Sequence, residues 1–222
     1  MTARSESIEL AGSPLGDCRH VCAFFRTPDE ECEILFPFIR EGIERGERVV
    51  TIVPRDRTDY LDRLRGAGVD VEQAQHTHQL KLCCTEEMYT PDGHFDPERM
   101  LEVMVGAINE GRTLGFPLTR LMGHPESALQ TWKDSTRFLE YEARLNIELP
   151  RFDDPVICTY DLDQITAGTA FDAVRTHPMT LLGGVLQENP FYVSPEVFLE
   201  ELRARTEPRD GPGVVADASH TA

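Results

Sequence analysis

The sequence lacks any apolar run long enough to span a bilayer, which excludes a membrane-crossing helix. Its first sixteen residues hold no apolar segment of the signal-peptide kind, so a cytoplasmic location is expected. No CxxC pair occurs among the six cysteines, which removes zinc-ribbon and thioredoxin-type motifs. In a chain of this length the thiols read as reduced rather than as a disulfide framework. A GxSxG nucleophile elbow is missing, as is any internal repeat. Positive charge is scarce: 22 Lys and Arg stand against 39 Asp and Glu, a formal net charge of −17. A surface of that sign repels phosphate backbones, and the arginines are scattered among carboxylates, so no direct nucleic-acid binding is expected.

What is present is an alternation. The 222 residues suffice for one full-sized domain whose core needs neither disulfide nor metal. Residues 1–15 and 207–222 are polar, small and aperiodic and are expected to be disordered. Between them, 16–206 form one block. Apolar strand-like runs (Val21–Phe25, Arg48–Val53, Gln79–Cys84, Phe116–Met122, Pro155–Asp161) alternate with helix-period segments starting near Thr27, Thr58, Asp96, Ser127, Ile165 and Pro195. Such an order predicts an α/β fold: a mainly parallel sheet with helices on both faces. Ligands of this class sit outside the carboxyl ends of the strands.

The first strand-to-helix turn reads Arg26-Thr27-Pro28-Asp29-Glu30-Glu31. Phosphate binding there needs glycine-exposed N–H groups, a positive helix end and usually a lysine. The turn has neither glycine nor lysine. Thr27 is a helix cap, Pro28 fits the first helical position and Glu30 completes a capping box. The carboxylates of Asp29, Glu30, Glu31 and Glu33 complement the helix dipole and repel a triphosphate.

Several residues could carry chemistry. His20 and Cys22, two apart on a strand, share a face and could begin a metal or thiol site, with Cys83, Cys84 and Cys158 near other strands. Buried cysteine more often serves as a small hydrophobe. His76 and His78 fall in a polar stretch read as loop. Arg120 shares a strand face with Leu118 and Met122, so it needs either a salt bridge, to Glu142 or Asp161, or an anionic or polar ligand. His124 follows at that strand's carboxyl end, and Tyr160 and Asp161 close the strand VICTYD.

These stretches, with HVCAFF, MYTPDGHFDPERM, LEYEARLN, RTHP and NPFYVSP, occur in an order that resembles the MEDS sensory domain family over roughly His20 to Leu202. The resemblance implies a RecA-like and circadian-clock-ATPase-like fold that lacks the phosphate loop. It implies a sensor of small molecules, including hydrocarbon derivatives, in signalling and transcription control. By match, the motif positions are His20, Tyr89, Gly93, Phe95, Arg120, Tyr141, Glu142, Cys158, Tyr160, Asp161, His177, Pro178, Asn189, Pro190 and Tyr192. One departure stands out: the family pattern has Gly-Glu and then tryptophan after the arginine strand, where this chain has His124 and Ser127.

The resulting expectation is a non-catalytic sensory domain. Its small-molecule site lies at the carboxyl ends of the strands, with His20, Cys22, Arg120, His124, Glu142, Tyr160, Asp161 and His177 as candidate ligand contacts. No cofactor is required, no residual nucleotide hydrolysis is expected, and output passes to a separate kinase or transcription regulator. The alternative is a thiol- or metal-based redox sensor built on His20, Cys22 and neighbouring cysteines.

Overall fold

Six consecutive buried residues, His20–Phe25 (β3), form the strand on which the molecule is organised. The computed structural model describes residues 7–55, 58–125 and 135–206. Around β3 lie β4 (Arg48–Val53), β5 (Leu80–Cys84), β6 (Thr119–Gly123), β7 (Val156–Asp161), β8 (Met179–Leu182) and β9 (Val185–Glu188). They make a sheet of order β5-β4-β6-β7-β3-β8-β9, parallel except for the antiparallel pair β8–β9. The mainly parallel α/β architecture expected from the strand–helix alternation is therefore present.

The period of two sorts the β3 side chains between two cores. Val21, Ala23 and Phe25 join Val49, Met122 and Ile157 under α1 (Pro28–Glu44), which contributes Leu35, Phe36, Phe38 and Ile39. Cys22 and Phe24 join Val50, Leu121, Cys158 and Tyr160 on the other face. That face is covered by α5 (Pro97–Thr113) through Met100, Met104 and Ile108, and by α6 (Thr136–Glu148) through Phe138, Tyr141 and Leu145. Among the described residues the other helices are α2 (Thr58–Gly66), α3 (Val71–His76), α4 (Thr85–Tyr89), α7 (Ala167–Thr176) and α8 (Pro195–Thr206), with a 3-10 turn at Leu149–Arg151. A satellite cluster of Leu139, Ala143, Phe198 and Leu202 fastens α8 to α6.

Helix starts follow the chemistry of their caps. Thr27 Oγ1 accepts from Glu30 N at 3.2 Å, and Asp96 accepts from the N–H groups of Glu98 and Arg99. Glu30 reaches back to Arg26 N–H at 2.9 Å, one residue before the cap position of a capping box. Helix α1 continues through Pro37.

Three features depart from the sequence expectation. Ile8–Leu10 (β1) and Ser13–Leu15 (β2) form an antiparallel hairpin whose Ile8, Leu10 and Leu15 are buried in the α1 core, so this part of the first fifteen residues is ordered. Its tight turn puts Ala11 and Gly12 at positive φ, and only three apolar side chains mark it in a polar segment. The hairpin β8–β9 turns on Gly183 and Gly184, both at positive φ, a Gly-Gly turn between the short apolar runs Leu181-Leu182 and Val185-Leu186. His76 ends a short helix, α3, and His78 follows it at positive φ. The start of the helix expected at Ser127, the tail beyond 206 and residues 1–6 lie outside the described residues.

Candidate functional site

Five of the eight candidate residues converge on one face of the sheet. His20 opens β3, Cys22 follows two residues on, and Tyr160 lies on the neighbouring β7. Glu142 comes down from α6, and His177 sits at the end of α7, just before β8. His20, Glu142 and His177 are 2 %, 1 % and 0 % exposed. Nε2 of His20 lies 3.3 Å from Glu142 Oε2, and Nε2 of His177 lies 3.1 Å from the same oxygen. The two imidazoles face each other with centroids 4.0 Å apart.

Cys158 completes the group. Its Sγ is 3.6 Å from His20 Nε2 and 3.6 Å from Glu142 Oε2. The sequence marks it as a motif position and as one of several cysteines that could join His20 and Cys22, but does not set it apart from core, because a cysteine in an apolar strand reads as a small hydrophobe. Its cross-strand partner Cys22 is equally buried, but points its Sγ at Met179 O, 3.7 Å away, and stays out of the group. The pairing of His20 with Cys22 on one face is therefore present, while the thiol that meets the histidine is Cys158.

The protonation of this group follows from its neighbours. Asn146 donates through Nδ2 to the carbonyls of Glu142 at 3.0 Å and Thr176 at 2.7 Å. That fixes its amide orientation, so Oδ1 faces His20 Nδ1 at 2.9 Å and must accept a proton from it. Nδ1 of His177 lies 2.7 Å from Ala173 O, which also only accepts. Both imidazoles thus carry hydrogen on Nδ1 and turn Nε2 toward the carboxylate. Burial pushes the Glu142 carboxyl up, but the two histidines outweigh it and hold it down at about 2. Burial, reinforced by His177, lowers His20. Burial and the Glu142 charge raise Cys158 and Tyr160, and do the same to Cys22. The Tyr160 hydroxyl is buried without a hydrogen-bond partner among the described residues.

This group sits toward the amino ends of β3 and β8. A cavity of about 450 Å³ reaches it there, lined by His20, Asn146, Phe152, Asp154, Pro178 and Tyr192. Thiol chemistry is poorly served by it, because a raised pKa suppresses the reactive thiolate.

The other candidates lie elsewhere. His124 and Asp161 border a cleft of about 230 Å³ at the carboxyl ends of β3, β4 and β7, with Phe25, Cys32, Val53 and Tyr60 as its apolar wall. His124 Nδ1 bonds Ile52 O at 2.7 Å, and its Nε2 contacts Glu31 in the first turn of α1. Asp161 accepts from Asp163 N and Gln164 Nε2 and so shapes the loop after β7. Arg120 is near the amino end of β6, on the α1 face, and is fully buried. It bridges Glu47 at 2.6 Å and Glu41 at 2.9 Å, and donates to Phe38 O at 2.6 Å. A salt bridge is present, but Glu142 and Asp161 are not its partners: Glu142 lies on the far face and Asp161 at the opposite end of the strands.

Comparison with known proteins places these features. Over 174 residues the chain is 24 % identical to the transcriptional repressor DcmR of Methylorubrum extorquens (strain DSM 6343 / CIP 106787 / DM4), covering 78 % of this chain and 63 % of that protein. The chain thus spans under two thirds of that curated relative. A crystal structure of a KaiC-like protein from Pyrococcus horikoshii OT3 superposes with a TM-score of 0.51 at 14 % identity, over 74 % of this chain and 69 % of that one. That likeness concerns the fold and bears out its RecA/KaiC-like type. Residues 19–178 match the family model described as the methanogen/methylotroph, DcmR sensory domain, a span that holds the strand of His20, the helix of Glu142 and the turn of His177. The chain belongs to the MEDS family of sensory domains.

Proposed function

We propose that this chain is a non-catalytic input module for transcription control, which takes a small organic molecule in the carboxyl-edge cleft and reports to a separate regulatory protein. The observation that carries this reading is the contact between Glu31 and His124. In a sheet of this class the end of β3 is where a nucleotide would place its phosphates. Here Thr27 and Glu30 already use the N–H groups of Glu30 and Arg26, and Glu31 ties the turn to the loop after β6. A nucleoside triphosphate would have to break that contact and meet four carboxylates.

The cleft, at about 230 Å³, is smaller than the ~300–1,000 Å³ typical of drug-sized ligands. Its wall of Phe25, Val53 and Tyr60, with His124 and Asp161 at the rim, suits a molecule of a few carbons with one polar group. A ligand that competes for His124 or Glu31 would bind one arrangement of α1 and the β6 loop better than the other, which is what a sensor needs. Membership of a sensory family supports this, and a relative that is a repressor supports transcription as the output.

Thermal-shift and calorimetric titration with short alcohols, aldehydes and halogenated alkanes, beside magnesium-ATP, test it. The expected result is stabilisation by at least one organic class, lost in His124→Phe, and no heat from magnesium-ATP. Binding or hydrolysis of magnesium-ATP would overturn it.

A further inference from the structure

We infer that His20, Glu142, Cys158 and His177 form a binding site for one divalent transition-metal ion of the zinc type. The site is independent of the cleft just discussed: His20 begins β3, whereas Phe25 at the other end of that strand lines the cleft.

The donor atoms lie close enough together to share one ion. Each residue offers one ligand atom, and the four atoms lie within 4.8 Å of one another. Zinc binds nitrogen at ~2.0–2.1 Å, thiolate sulfur at ~2.3 Å and carboxylate oxygen at ~2.0–2.2 Å, usually as a tetrahedron. A tetrahedron of those radii has edges of about 3.4 Å between nitrogen and oxygen, and about 3.6 Å from sulfur to either. The structure has 3.1 and 3.3 Å for the two nitrogen–oxygen edges. It has 3.6 Å for both measured sulfur edges.

Hydrogen bonding points the same way. With Nδ1 donating on both rings, both Nε2 atoms turn toward one carboxylate oxygen, so a positive centre, either protons on the rings or a cation, must lie between them. A proton on Nε2 of His177 would be poorly aimed, because that buried nitrogen is 3.1 Å from the oxygen yet outside hydrogen-bond geometry. A cation at the centre satisfies both nitrogens, the carboxylate and the sulfur at once. Asn146 Oδ1 and Ala173 O then play the part that carbonyl and carboxylate groups commonly play behind metal-bound histidines, holding the ring and its tautomer. Binding releases the Cys158 proton to solvent, since the ligand is the thiolate. The cavity beside His20 gives a route in.

Four protein donors close the coordination shell, the pattern of structural rather than catalytic zinc. The ion would pin α6 and the turn before β8 to the strands β3 and β7. Cys22 is left outside.

The full-length chain, stripped with a chelator and checked by circular dichroism, is titrated with Co²⁺ and then displaced with Zn²⁺. One Co²⁺ per chain is expected, with intense tetrahedral visible bands and a thiolate-to-cobalt band in the near ultraviolet. Cys158→Ser should lose the ultraviolet band, Cys22→Ala should keep it, and Asn146→Ala should weaken affinity roughly 10–100-fold. If Cys158→Ser does not fold, long-range ¹⁵N spectra of the wild type decide: Zn²⁺ should move two Nε2 resonances and leave both Nδ1 protonated. A folded chain that takes up neither ion, a Cys158→Ser spectrum identical to wild type, or histidine nitrogens unmoved by Zn²⁺ would overturn the proposal. Failure of the organic-ligand screen leaves these outcomes unchanged.

Discussion

The side chain of Arg120 fills the space that a Cβ on Gly42 would need: such an atom would stand 2.7 Å from Nε and 2.8 Å from Cδ. The glycine of α1 therefore exists to admit a guanidinium, which then reaches Glu47, Glu41 and the face of Phe38, whose ring centroid is 4.4 Å from Cζ. Replacing Arg120 by alanine leaves buried Glu47 with Arg45 alone, whose Nε stays 2.9 Å from it, so the loss should be about 3 kcal/mol, the low end for a broken buried pair. Gly42→Ala should cost about 1–3 kcal/mol by overpacking. The double variant should cost less than the sum, because both changes break the same contacts. Urea denaturation of the four proteins measures this, and additive losses would contradict the shared origin.

Cys32 is held protonated. Burial is the main cause, Arg63 opposes it, and Glu31 and Asp29 add to it, so its pKa rises from 9.0 to about 11. At pH 8 about a thousandth of the thiol is thiolate, so alkylation should be slow and should accelerate steadily until about pH 11. The linkage sign is fixed: a raised folded-state pKa gives stability that is present below pH 9 and lost as pH climbs toward 11. Iodoacetamide labelling followed by peptide mass spectrometry reads the first effect. A ligand bound in the carboxyl-edge cleft should slow the labelling further.

Asn189 ties the turn after β9 to the end of α7. Its Nδ2 donates to Val174 O at 2.5 Å and His177 O at 2.7 Å, and its Oδ1 accepts from Phe191 N at 3.0 Å. Asn189→Ala strands His177 O, at about 1–3 kcal/mol, while Val174 O keeps the N–H of His177 at 3.4 Å. Hydrogen exchange should rise around His177 and in β8–β9, and a global loss without that local signature would refute this tie.

The first hairpin should contribute to the core. Leu10 is buried beside α1, so Leu10→Ala should destabilise by about 2–5 kcal/mol. A neutral outcome in thermal denaturation would mean that Ile8–Leu15 does not pack in solution.

Periodicity made the parallel sheet legible, because strands buried on both faces read as unbroken apolar runs: Val21–Phe25 and Arg48–Val53 coincide with β3 and β4. Weakly apolar pieces stayed hidden. β1, β2, β8 and β9 are three or four residues each, too short to carry a period, and take their form from turns and a core supplied by other segments. The polar group on the second face was half legible. His20, Glu142 and His177 were marked by the family pattern, but their meeting depends on strand order, which brings β7 and β8 to either side of β3. Arg120 needs a partner, as expected; Glu41 and Glu47 were not legible as that partner because they come from α1 and the turn after it, distant in sequence and joined to β6 only by the strand order.

The position of β3 also bears on how the chain is made. It leaves the ribosome well before both its neighbours, β7 and β8, which begin only at Val156 and Met179. Its edges stay open until the chain has been synthesised as far as Leu182. Such long-range closure implies slow, all-or-none acquisition of structure, and a nascent strand in need of shielding from misplaced partners.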